Sequence, residues 1–162
     1  MVAANLSDIA TLDAAFDGAV AIFCVTAFCE NTPRVDIEAT GKEEFQQFVT
    51  VATVASRLPT LKHLVLSVMP HCNSISGGKF PVPHWYYKAQ AVTHIKDTLP
   101  QLALKTTYVG LGWYLDNMGK LSASRLQPSK PDGIVPVAGL IAIIVGVAVE
   151  AILDQPSSTV SI

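Results

Sequence analysis

The sequence predicts an α/β fold, a parallel sheet flanked by helices within one domain. Three observations carry this. Short apolar runs rich in β-branched residues, AVAIFCVT (19–26), LKHLVLSV (61–68) and a stretch near Lys105–Val109, alternate with longer segments of helical period. Successive parallel strands then call for right-handed crossovers between them. Half of the 162 residues are apolar and 15% are charged, which is enough to build a core and excludes disorder for the chain as a whole.

In residues 8–17, Ile9, Leu12 and Phe16 recur at spacings of three and four, a short amphipathic helix broken by Asp17-Gly18. The run 19–26 carries no charge and reads as a strand buried on both faces. A polar loop through Asn31 and Pro33 leads into a helix over about 35–58, with Phe45, Phe48, Val49, Ala52 and Ala55 along its apolar stripe and Pro59 as its stop. The second strand is 61–68. Residues 69–83, with Pro70, Gly77, Gly78, Pro81 and Pro83, read as a loop, and a helix over about 84–99 ends at Pro100. The third strand lies near 105–109. Beyond it the sequence predicts a polar loop at 122–132, a short strand at 134–137 and an apolar helix ending near Leu153. The domain spans 1–156, and 157–162 reads as a loose tail.

Eleven basic and thirteen acidic side chains give a net charge of −2, so the chain lacks the positive field that nucleic acid or an anionic membrane selects. Cys24, Cys29 and Cys72 cannot close a full set of disulfides, and Asp8, Asp13 and Asp17 interrupt any leader-like run; both features fit the cytoplasm. Residues 133–149 carry no charge, but a spanning helix needs about 20 apolar residues. This run also holds Pro136, Gly133, Gly139 and Gly146, so a buried strand and helix are expected there.

Ligands of an open parallel sheet bind at the carboxyl ends of its strands. That rule selects 26–30, 67–71 and 109–113, and with them Thr26, Val109 and Gly110 as cofactor-binding candidates beside Lys88. His84 and Lys88, four residues apart at a helix start, share one face. A lysine held beside a substrate oxygen eases proton transfer, a histidine relays the proton near neutral pH, and Ser67 at a strand end can bond a carbonyl. On spacing alone the same residues also read as a solvated helix lysine and a helix cap after Pro83. Trp85, Tyr86 and Trp113 can line an apolar substrate pocket or fill the core; Asn117 can reach the same cleft or cap a loop. Ser76–Phe80 is not a phosphate loop, since Asn73 and Phe80 replace the required glycine and hydroxyl residue. The cysteines and histidines show no zinc spacing.

Several segments together, DIATLDAAFDGAVAIFCVT, KHLVLSV, GGKFPVPHWYYKAQAVTHIK and TTYVGLGWYLDNM, resemble the NmrA-like family of atypical short-chain dehydrogenases, close to isoflavone reductase-like proteins. The likeness covers most of 8–118 and, more loosely, 131–156. It is most specific at PVPHWYYK, where the family tends to carry a histidine in place of the usual catalytic tyrosine; here His84 and Lys88 fit that variant. The resemblance implies NADP as cofactor, a nucleotide-type cleft lined by Lys88, and an oxidoreductase acting on a small apolar metabolite of secondary metabolism.

The sequence also departs from the family. The family's opening strand and Gly-rich turn, which seat the dinucleotide pyrophosphate on a helix N-terminus, have no counterpart here, nor do its second and third strands. Near the other end, the apolar 140–149 stands where the family usually has aspartates. A partial Rossmann-like sheet lacking the first βαβ unit is therefore expected. The strand at 19–26 then forms an edge open to a second copy or a partner chain. Two other functions stay open: a cofactor-independent isomerase or cyclase in the same cleft, and a non-catalytic regulatory module that binds partners.

Overall fold

The computed structural model of the chain describes residues 2–26, 28, 36–110 and 153–154. Its elements run α1 (Ile9–Phe16), β1 (Ala21–Cys24), α2 (Ile37–Arg57), β2 (His63–Val68), α3 (Cys72–Ile75), α4 (Pro83–Thr98), α5 (Pro100–Ala103) and β3 (Thr106–Gly110).

Local chemistry sets the helix starts. The Asp8 carboxylate accepts from the Ala10 amide at 3.0 Å, and Asp36 accepts from the Glu38 and Ala39 amides at 3.1 and 3.0 Å. Pro83 opens α4 at its first turn, where a missing N–H costs nothing. Glu38 in the first turn of α2 and Arg57 in its last complement the helix dipole.

The strands form one parallel sheet in the order β1-β2-β3. Ala21–Cys24 lie opposite His63–Leu66, and Leu64–Val68 lie opposite Thr106–Gly110. All three carboxyl ends therefore share one edge of the sheet. Ile22, Cys24, Leu64, Leu66 and Val68 alternate onto the face that packs on α2 and α4, where Phe48, Val51, Ala55, Ala91 and Ile95 complete the core. Leu12 of α1 joins the same cluster. This is the expected architecture, a partial Rossmann-like α/β fold.

Two expectations need correction, and a third needs widening. The apolar run at 19–26 forms a strand over 21–24 only, and it is buried on one face: Phe23 is 39% and Val25 38% exposed. Among the described strands β1 has a neighbour on one side, whereas β2 has one on each and is buried on both faces. The expected stripe of α2 holds at Phe48, Ala52 and Ala55, which are fully buried, and at Phe45, which packs half-buried against the core; the buried face is wider and also takes in Gly41, Glu44, Val51 and Val54. The segment 69–83 contains the short helix α3, capped by the His71 ring accepting from the Ser74 amide at 3.1 Å. Among the described residues no helix is long and apolar enough to cross a membrane. The features expected at 122–152, the tail and Cys29 lie outside the described residues.

Candidate functional site

A charged cluster sits just past the carboxyl end of β1, inside the angle between α2 and α4. Glu44 belongs to the α2 stripe and is 2% exposed; Lys88 shares an α4 face with Ala91 and Ile95 and is 9% exposed. Their charges meet at 3.2 Å, Lys88 Nζ to Glu44 Oε1. The Thr26 hydroxyl donates to the same carboxylate oxygen at 2.6 Å, and Lys88 Nζ also donates to the Thr26 carbonyl at 3.4 Å. The three residues close a ring that ties β1, α2 and α4 together. Glu44 Oε2, buried as well, has no hydrogen-bond partner among the described residues.

Cys24 and His84 border this cluster. Burial pushes the Cys24 thiol up to about 11; Lys88 pulls it down and Glu44 pushes it up. Burial holds the His84 imidazole below its ordinary value, with Glu44 opposing and Lys88 reinforcing that shift. His84 is therefore neutral at neutral pH and can accept a proton. Its ring lies against Phe28 at 5.5 Å and edge-on to Trp85 at 6.1 Å between centroids.

The next residue round the helix faces elsewhere. Tyr87 packs against α2 at Gly41, where a Cβ would come within 2.1 Å of its ring. Its hydroxyl donates to Glu38, and this bond pushes the phenol up to about 12. Tyr86 meets the His71 ring edge-on at 5.2 Å. A cavity of about 200 Å³ opens on this side, lined mainly by Pro81, Val82, Pro83, Tyr86 and Tyr87, with Glu38 and Asn73 as its polar groups.

Of the residues singled out from the sequence, Thr26, Lys88 and His84 come together. Ser67 is 2% exposed on β2 and alternates with Leu66 and Val68, which places it on the sheet face away from α2 and α4. No hydrogen bond joins it to Lys88 or His84. Val109 pairs with Ser67 in register, and Gly110 stands exposed at the end of β3 with open space where a Cβ would be. Trp85 borders His84, and Tyr86 lines the separate cavity. Trp113 and Asn117 lie outside the described residues. Sequence reasoning missed Glu44, although its spacing from Gly41, Phe48 and Val51 puts it on the apolar phase of α2.

The donors and acceptors at the β1 end suit the ribose and carbonyl groups of a nicotinamide nucleotide. Lys88 uses two N–H groups internally and keeps a third, beside a carboxylate with an unspent oxygen. Among the described residues no Gly-rich turn leads from a strand into a helix; the positive-φ glycines are Gly18 after α1 and Gly77 and Gly78 after α3. In comparison with known families, the profile of the NmrA-like family matches residues 1–161.

Proposed function

This chain belongs to the NmrA-like family, whose members generally bind NAD(P), and from that premise we propose that it is an NADP-dependent oxidoreductase acting on a small apolar metabolite, in secondary metabolism. The observation that carries the proposal is the Lys88 ammonium held at the carboxyl end of β1 by a buried acceptor set, with the neutral His84 beside it. When bound, the nicotinamide supplies or accepts the hydride. Lys88 donates its third N–H to the ligand and stabilises negative charge growing on a substrate oxygen. His84 moves the accompanying proton, because an imidazole with a lowered value is a base at neutral pH. Trp85 beside His84, and the exposed Ile75 and Phe80 of the 69–83 segment, favour an apolar substrate over a charged one.

Calorimetric titration with NADPH and NADH tests the reading. Saturable binding is expected, tighter for NADPH, and Lys88→Met should weaken it about tenfold, the factor of one charge-assisted hydrogen bond. A folded protein that binds neither nucleotide overturns the proposal. The second reading, a cofactor-independent isomerase or cyclase, draws on the His84 and Lys88 pair, which can shuttle a proton without a nicotinamide. Substrate-dependent proton exchange in the absence of NADPH would favour it.

A further inference from the structure

We infer that Glu44 is the positioning residue of this site: it pins the Lys88 ammonium at the carboxyl end of β1, and a ligand meets Lys88 in the orientation Glu44 imposes. The inference deepens the proposed oxidoreductase reading and, for its ligand-binding consequence, rests on it.

Three observations lead here. Glu44 is the one acid on the buried stripe of α2, flanked by Gly41 and Phe48, at a place where an aliphatic side chain would serve the core. A buried ion pair is weak evidence for stability, since well-packed apolar residues often do as well or better. Next, the carboxylate is only half satisfied: Oε1 takes both the Thr26 hydroxyl and Lys88, while Oε2 has no partner among the described residues. A buried acid that served packing alone would have both oxygens paired. Last, every contact of Oε1 acts on the placement of Lys88. Thr26 fixes Glu44 through its hydroxyl and takes a Lys88 N–H on its carbonyl, so the ammonium is located from α2 and from β1 at once. Without Glu44 the ammonium keeps only the Thr26 carbonyl, and nothing holds its flexible four-carbon stem in one orientation.

The test follows the Lys88 amine itself. Limited acetylation of the intact chain, read peptide by peptide by mass spectrometry, gives the Lys88 rate relative to the exposed Lys96 as internal standard. Glu44→Gln is expected to raise that ratio at least about tenfold, the factor of one charge-assisted hydrogen bond. Glu44→Asp, which keeps the charge, should recover part of the protection, and Thr26→Val should give a smaller rise. Val54→Ala serves as the control, because it loosens α2 at a fully buried site away from Lys88; its ratio should stay that of the wild type. Circular dichroism confirms that each variant is folded, and if Glu44→Gln is not, Thr26→Val carries the same comparison.

An unchanged ratio in folded Glu44→Gln overturns the inference, as does an equal rise in Val54→Ala, which would mark a purely structural role. NADPH titration of the same variants supplies the second arm: Glu44→Gln should weaken binding as much as Lys88→Met does. Should the wild type bind no nucleotide, the oxidoreductase reading falls, while the acetylation ratio still decides whether Glu44 positions Lys88.

Discussion

Removing either partner of the Glu44–Lys88 pair should cost far more than removing both. At 3.2 Å separation and an effective dielectric of about 20, the two charges attract by about 5 kcal/mol. Against that stands a desolvation penalty of several kcal/mol for each ion, so the net worth of the pair is close to zero. The penalty stays when one partner goes. Lys88→Met leaves the Glu44 carboxylate at 2% exposure with the Thr26 hydroxyl alone, and Glu44→Leu leaves a buried ammonium facing a single carbonyl. Each is expected to lower stability by about 3–5 kcal/mol, a large part of the roughly 5–15 kcal/mol of a typical domain. The double variant Glu44→Leu/Lys88→Met keeps the volume and drops both charges, and it should fall within about 1 kcal/mol of wild type or exceed it. Urea unfolding followed by circular dichroism at neutral pH measures all four proteins, with the m value checking that the transition keeps its form. Single losses under about 1 kcal/mol would refute the reasoning, since that is the behaviour of a solvated surface pair. So would a double variant whose loss is the sum of the two singles.

Three further outcomes follow from the same structure. Gly41→Ala sets a Cβ about 2.1 Å from the Tyr87 ring; the strain, about 1–3 kcal/mol, should outweigh a helix-propensity gain of about 1 kcal/mol, giving a lower urea midpoint. Iodoacetamide at mildly alkaline pH should modify the half-buried Cys72 before Cys24, whose thiol is 6% exposed and raised to about 11; peptide mass spectrometry of native and urea-unfolded protein reads the order, and Cys24 labelling first contradicts it. Burial lowers both His63 and His84 below 6.5, so the unfolded chain binds more protons between the lowered values and 6.5. Stability should therefore be full above about 6.5 and fall as the pH drops through that window. Replacing both histidines by glutamine should flatten this part of a urea-midpoint profile, and an unchanged slope would assign it to other groups.

The sequence made the order and type of the main elements legible, because each strand is an apolar run and each long helix keeps a period of 3.6. What it could not state was company. AVAIFCVT is apolar enough for burial on both faces, yet burial depends on which neighbours arrive, and β1 has one partner strand among those described. Pro100 reads as a stop for α4, and it is one, but its fixed φ and missing N–H also suit a first helical turn, so α5 begins on the same residue. His71 at the head of α3 escaped notice for a related reason. An imidazole nitrogen can take the place of the usual serine or aspartate at a helix cap, and no preference scale marks it for that place.

The candidate site was half legible, and the missing half is instructive. Thr26, His84 and Lys88 lie where strand ends and helix starts put them, so topology and spacing sufficed. Glu44 sits in the run Lys42-Glu43-Glu44, which looks like a solvated face, and the apolar stripe through Phe45, Phe48, Val49, Ala52 and Ala55 leaves it out. Phe48, Ala52 and Ala55 of that stripe are fully buried, with Phe45 at its margin, edge-on to His94 at 5.8 Å, but the buried face is wider and takes in Gly41, Glu44 and Val51 as well. A glycine at one turn and an acid at the next make that phase look weaker than it is, although both are there for α4: Gly41 admits the Tyr87 ring and Glu44 receives Lys88. Helix phase should then be weighed with its partner in view. In a parallel sheet consecutive crossovers bring successive helices side by side, so an acid on the buried phase of one helix and a lysine on that of the next each make the other more credible. Neither residue is informative alone, because a buried charge is tolerated only where its counter-charge arrives from elsewhere in the chain.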